Sequence, residues 1–252
     1  MQDKYVGDIG DFGKYALLNF LAKRDVVLGV VWYLTSAECD SRDGGFTQYL
    51  SSPDKANGLG KCDEELFDGL REIVQSRDRQ VARVREGRIL PGRTQFYEGR
   101  LEFDGVPPRK RPEVRKTWFE RALKQVEGAS LVFLDPDNGL SLNEKMKNRK
   151  AGPKHVYLDE VRQFLGRGQS LVVYCHQDRR KGGLEEQIRQ GLELFRKESP
   201  IHKAWAFSFH RQSVRIYFVV PVCQSTAELL AQRSTAFNEG CFGAGGHFRL
   251  RR

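Results

Sequence analysis

Three short stretches of the chain are apolar almost without interruption: residues 27–34, 131–134 and 171–175. An unbroken apolar run, unlike an alternating one, predicts a strand covered on both faces, as in a parallel sheet. Between these runs the apolar positions change to helical spacing. Phe12, Tyr15, Ala16, Leu17, Phe20 and Leu21 share one face of a helix predicted over 11–23, with Asp8 or Asp11 as its cap. Further helices are predicted over 64–74, 112–126 (with Pro112 at its start), 155–165, 184–196 and 226–237. Two more strands, 204–209 and 214–220, are separated only by His210-Arg211-Gln212-Ser213, which makes them an antiparallel hairpin. Residues 36–63 read as loop with one short helix at most, 78–116 follow neither period, and 240–246 read as a glycine-rich tail. Strands alternating with helices define an α/β fold: a Rossmann-like, mostly parallel sheet with right-handed crossovers and a terminal antiparallel hairpin.

Composition adds bounds. The 252 residues, 39% hydrophobic and 30% charged, suffice for a single α/β domain over 1–252. The formal charge of +9 favours an anionic partner, nucleic acid (RNA or DNA) before an acidic surface. The polar start lacks the apolar stretch of a signal peptide, and the longest apolar run, 26–34, is too short to span a bilayer. The expectation is a cytoplasmic protein with no membrane partner. Five cysteines, at 39, 62, 175, 223 and 241, form no CxxC pair, so reduced thiols are expected rather than a disulfide framework or a zinc finger. Cys175, inside an apolar strand, reads as a small buried hydrophobe rather than a nucleophile.

The strongest chemical signal is Leu131-Val-Phe-Leu-Asp-Pro-Asp-Asn-Gly139. An apolar strand ends in the carboxylate of Asp135, and the chain turns at once. Ligands of open parallel sheets bind outside the carboxyl ends of the strands, so Asp135 is placed at the mouth of that crevice. The competing account is a turn that serves only itself, since Asp, Pro, Asn and Gly all favour turns. The second signal is Val6-Gly-Asp-Ile-Gly-Asp-Phe-Gly-Lys-Tyr15, where three glycines open a helix and Lys14 adds positive charge in its first turn. By itself this is equally a capped surface helix with a solvated lysine.

Taken in order, these segments resemble the large-subunit rRNA adenine-N6 methyltransferases with an inserted helical subdomain. Asp11-Phe-Gly-Lys14-Tyr15 is similar to the family's Asp-x-x-Lys-His, with Tyr15 in place of the histidine; residues 30–35 match its first strand; Pro91-Gly92-Arg93 looks like its Pro-Gly-Ser turn; Asp135-Pro136-Asp137-Asn138 matches its catalytic Asp-Pro-Pro-Tyr; and 204–220 match its closing hairpin. The resemblance covers the chain to about residue 222. It implies a methyltransferase-type sheet with a helical insertion over 36–90, S-adenosylmethionine as cofactor, and methylation of a base amino group in nucleic acid. It assigns Asp135, Pro136 and Asn138 to the acceptor, and Asp11, Lys14, Tyr15, Thr35 and Gly92 to the cofactor. Two departures stand out. Thr35-Ser-Ala-Glu-Cys-Asp40 replaces the glycine-rich loop after the first strand, and Asn138 occupies the place of an aromatic ring.

Two other classes remain open. Asp135, Asp137 and His176, with Asp8, Asp11 and Asp178 near the same edge, would suit Mg²⁺ and phosphodiester hydrolysis. A nucleic-acid-binding module of the same fold, without catalysis, is the third. Three basic clusters fit a nucleic-acid partner: Arg109, Lys110 and Arg111; Lys145, Lys147, Arg149 and Lys150; and Arg179 and Arg180. Any one of them alone would be an ordinary solvated face.

Overall fold

The computed structural model describes residues 1–36, 44–50 and 58–252. In chain order its regular elements are α1 (Ile9–Leu21), β1 (Leu28–Trp32), α2 (Glu64–Gln75), α3 (Val81–Glu86), β2 (Gln95–Tyr97), α4 (Arg111–Gln125), β3 (Leu131–Asp135), β4 (Gly139–Ser141), β5 (His155–Tyr157), α5 (Leu158–Gly166), β6 (Ser170–His176), α6 (Gly183–Glu198), β7 (Trp205–Arg211), β8 (Ser213–Val220), α7 (Gln224–Glu239), α8 (Cys241–Ala244) and β9 (Phe248–Arg251). Seven strands form the main sheet in the order β2-β1-β3-β6-β8-β7-β9. β2, β1, β3 and β6 run parallel; β8 enters antiparallel to β6, and β7 and β9 continue antiparallel pairing to the edge. This is a mainly parallel α/β sheet with an antiparallel end, as the apolar runs and the hairpin predicted.

The unbroken apolar runs have a direct physical cause. Successive residues of a strand point to opposite faces, and here each face carries helices. Val30, Trp32, Phe133 and Val172 pack with α1, α2, α3, α7 and α8. Val31, Val132, Leu134 and Val173 pack with α4, α5 and α6. Every position of β1 and β3 is buried. Each large apolar side chain so placed contributes roughly 1.5–3 kcal/mol relative to an exposed one.

Several expectations are corrected. The helix predicted over 155–165 begins only at Leu158; His155-Val156-Tyr157 is extended as β5 and pairs in parallel with β4 in a separate two-stranded ribbon. The Tyr157 N–H donates to the Glu160 carboxylate at 3.1 Å, which fixes the helix start there. The region 78–116 hides α3 and the three-residue β2, too short to show a period. The glycine-rich tail contains α8 and is followed by β9. Of the helical insertion expected over 36–90, the described part holds α2 and α3; residues 37–43 and 51–57 lie outside the described residues, and with them Cys39 and most of the segment that replaces the glycine-rich loop.

The expectation of reduced thiols is also corrected: Cys62 and Cys241 form a disulfide across 179 residues of sequence. Sequence spacing hid the pair, because only packing of α2 and α8 in the same core brings them together. Cys175 is free and buried, and burial pushes its thiol up to about 12, so it is inert as expected. Among the described residues no helix is long and apolar enough to cross a membrane.

Candidate functional site

Asp135 ends β3, opposite Trp32 at the end of β1, and so stands at the carboxyl edge of the parallel strands. A cleft of about 270 Å³ opens there. Asp8, Asp11, Lys14, Asp135, Pro136, Asp137, Asn138 and His176 all line it, together with Met1, Gln2, Lys154 and Arg215. The two motifs singled out in the sequence, 121 residues apart, thus form one site.

The centre of that site is a buried ion-pair cluster. Lys14 Nζ donates to Asp135 Oδ2 at 2.7 Å and to Asp11 Oδ1 at 2.8 Å. Tyr15 Oη donates to Asp11 Oδ2 at 3.1 Å, but Tyr15 is fully buried and does not reach the cleft. Burial raises the Asp11 and Asp135 carboxyls above their ordinary value, against the pull of Lys14. Burial alone would lower the Lys14 ammonium; Asp11 and Asp135 outweigh it and hold it well above its ordinary value. Lysine is therefore charged across all working pH values. Lys14 takes Asp135 Oδ2, and no hydrogen bond among the described residues takes Oδ1.

The local sequence explains how α1 reaches this edge. Asp8 caps the helix, its Oδ1 accepting from the N–H groups of Gly10 (2.7 Å) and Asp11 (3.1 Å). Lys14 follows Asp11 by three positions, so both side chains share one helix face. Gly10 admits the Arg215 guanidinium, whose Nε would lie 2.2 Å from a Cβ at that position. On the opposite wall, Pro136 is buried, Asn138 is exposed, and the Asn138 N–H and C=O pair with Lys154 and His176 backbone groups at 2.9 and 3.2 Å. Gly139 has φ +112° and a Cβ there would meet the Cys175 Cα at 2.8 Å. Gly139→Ala is expected to cost about 2–4 kcal/mol, from positive-φ strain plus a clash with backbone. Chemical denaturation measures it; an unchanged midpoint would show that the loop is not held by this close approach.

The remaining sequence-predicted residues divide. Thr35 follows β1 at the correct edge; its N–H donates to the Met1 carbonyl at 3.0 Å, and its buried Oγ1 has no partner among the described residues. Gly92 is not brought to the cleft. It precedes β2, whose first residue Gln95 pairs with Gly29 near the amino end of β1, the far side of the sheet from Asp135. Asp137 and His176 share the cleft with Asp135, but Asp137 Oδ2 accepts from Gln2 Nε2 at 3.0 Å and Asp135 is held by Lys14. Among the described residues no three His, Cys, Asp or Glu side chains converge in a metal-holding group.

The basic clusters all fall on the carboxyl edge. Residues 109–111 lead into α4, which starts there after β2; 145–150 follow β4 and 179–180 follow β6. Arg109, Lys110, Lys145, Arg149, Lys150, Arg179 and Arg180 are exposed. Arg111 donates to the Asn148 carbonyl at 3.2 Å, so the first two clusters touch. Some of this charge is locally balanced: Lys147 pairs with Asp159, Lys150 with Asp104 at 3.0 Å, and Arg180 with Asp178. Arg115, next to the first cluster in sequence, is buried in a bidentate pair with Glu160 (2.7 and 2.9 Å) and plays a structural part.

Sequence reasoning missed Gln2 and Arg215. Gln2 is buried beside the cleft and its Oε1 has no partner among the described residues. Arg215 comes from β8 and is nine-tenths buried over the start of α1. A lone glutamine near the start and a lone arginine in a hairpin carry no motif; only the fold places them.

Fold and cleft together define an α/β protein with a polar cleft at the carboxyl edge of its sheet. No protein-family profile matches the chain, and no curated protein matches it. Among solved structures, it is similar to protein LPL1258 from Legionella pneumophila str. Philadelphia 1, of the family DUF519. That match has 12% sequence identity, covers 98% of this chain and 95% of that one, and has a TM-score of 0.49, a level that supports no transfer of function.

Proposed function

We propose that the protein is an S-adenosylmethionine-dependent methyltransferase of Rossmann-like fold that acts on a base amino group in nucleic acid. The observation that carries this reading is the 2.7 Å pair between Lys14 and Asp135. It joins the Asp11-Phe-Gly-Lys14 segment and the Asp135-Pro136-Asp137-Asn138 loop, the two pieces on which the resemblance rests, in one cleft. The sheet supports it as well, with β8 inserted antiparallel between β6 and β7 as a methyltransferase-type hairpin requires.

The residues present suit such a cofactor. The buried Gln2 Oε1 and Thr35 Oγ1 lack partners among the described residues, and a ligand with donor groups would satisfy them. Gln2, Asp11 and Lys14, which line the cleft, would hold it, with Thr35 behind them. When bound, the cofactor supplies an electrophilic methyl group. The protein's own contribution is alignment, which accounts for most of the gain in such a transfer. Asp135 Oδ1 would accept a hydrogen bond from the acceptor amine, the carbonyl of buried Pro136 would be the second hydrogen-bond acceptor, and Lys14 keeps the carboxylate ionised and fixed. The exposed basic residues at the same edge would track a phosphate backbone.

Calorimetry with S-adenosylhomocysteine tests the reading, with a Mg²⁺ titration run beside it. A saturable exotherm with the former is expected. Its absence would sink the methyltransferase reading, and saturable Mg²⁺ binding lost in Asp135→Ala would turn the site toward phosphodiester hydrolysis.

A further inference from the structure

Among the described phenylalanines and tyrosines of the cleft wall, Phe46 takes no part in the hydrophobic core. Phe46 is 39% exposed, the most exposed of the three phenylalanine and tyrosine rings that line the cleft (the others are Tyr5 and Tyr174), and it shares that cleft with Asp135, Pro136 and Asn138. The exposure is imposed by the backbone. The Phe46 carbonyl accepts from the N–H of Ile9, the first residue of α1, at 3.0 Å. Two residues earlier, Gly44 is in the left-handed region at φ +81°, where a Cβ would lie 2.5 Å from the Lys4 carbonyl. The Gly44 carbonyl accepts from the Arg79 guanidinium at 2.6 Å. The segment is thus fastened on both sides of the ring and holds it at the mouth of a polar cleft. An aromatic face kept in water is a stacking surface for a planar partner, and bases stack on such rings whatever their sequence.

We propose that Phe46 is the platform on which the cleft stacks the acceptor base. This rests on the methyltransferase reading and adds the residue that would hold the base in plane. The loop that ends β3 offers no ring of its own, since Asn138 occupies its exposed position. The ring belongs to the acceptor rather than to the cofactor because of depth. Asp11 and Lys14 are buried on the floor of the site, whereas the exposed Phe46 stands at the rim, where a base enters from solvent.

The test uses the full chain and its Phe46→Ala and Phe46→Trp variants, titrated with single-stranded oligoadenylate and oligodeoxyadenylate, and separately with S-adenosylhomocysteine. Phe46→Ala is expected to lose about 5- to 150-fold in oligonucleotide affinity with S-adenosylhomocysteine affinity and thermal midpoint unchanged. Phe46→Trp is expected to keep the affinity and to show tryptophan quenching on binding. Wild-type oligonucleotide affinity in Phe46→Ala overturns the proposal, as does absence of oligonucleotide binding by the wild type. So does a loss of S-adenosylhomocysteine affinity in the alanine variant, which would assign the ring to the cofactor. Oligonucleotide binding that depends on Phe46 without any S-adenosylhomocysteine binding would uphold the platform and reject the methyltransferase reading.

Discussion

Replacing Lys14 with methionine is expected to destabilise the protein by about 3–5 kcal/mol, the cost of removing one partner from a buried ion pair. For a domain of this size that is a fall of roughly 6–20 °C in the thermal midpoint. The reason is that two carboxylates, Asp11 and Asp135, share this one ammonium, and all three side chains are buried. Without it, both carboxylates face burial and each other. Lys14→Met combined with Asp11→Asn should therefore recover part of the loss, because only one buried charge is then left unpaired. The pH dependence follows from the directions of the shifts. Burial raises Asp11 and Asp135 above 3.8, so their folded forms bind protons more tightly than the unfolded chain. Acidification toward that range should shrink the variant's deficit, since protonation removes the unpaired charge. At the alkaline end the sign reverses for the native lysine. Its folded value lies well above 10.5, so the stability it provides is complete below 10.5 and is lost as pH rises through the folded value. Denaturant titrations of both proteins across pH measure this. A variant as stable as the wild type at neutral pH would mean that the cluster is open to water.

If the protein is the methyltransferase proposed above, Asp135→Asn is expected to lower the rate of methyl transfer about 10²-fold or more, through misalignment of the acceptor amine. The substitution keeps shape and an oxygen for Lys14 but removes the charge and replaces one accepting oxygen by a donor. Binding of S-adenosylhomocysteine should change far less, since Asp11 and Lys14 remain. Single-turnover assays separate the two effects. An unchanged rate would remove Asp135 from the acceptor site, and a parallel collapse of cofactor affinity would move it to the cofactor side.

The layered sheet was readable in the sequence because burial on both faces leaves a local trace: β1, β3 and β6 are apolar at almost every position. The elements that escaped lack such a trace. β2 and β5 have three residues each, and α8 has four, so no period can develop in them. The Asp135 loop is legible as a candidate site because a carboxylate at the end of a buried strand is costly unless something offsets it. What the sequence could not convey was its partner. The sequence leaves Lys14 open between a cofactor-side charge and a solvated helix residue; in the structure it is the buried counter-charge of Asp135. The Cys62–Cys241 bond and the position of Arg215 over Gly10 are likewise products of three-dimensional proximity, with no spacing rule to announce them.

The two borders of the main sheet have a consequence for how copies of this chain meet. One border is β2, three residues long; the other is β9, four residues long, whose Arg249 and Arg251 alternate with Phe248 and Leu250. A bare strand border invites a second sheet to join it, and shortness and positive charge both discourage that. Arg251 is paired with Glu185 at 2.8 Å, so it is the exposed Arg249 and the shortness of β9 that disfavour a second copy pairing along this border.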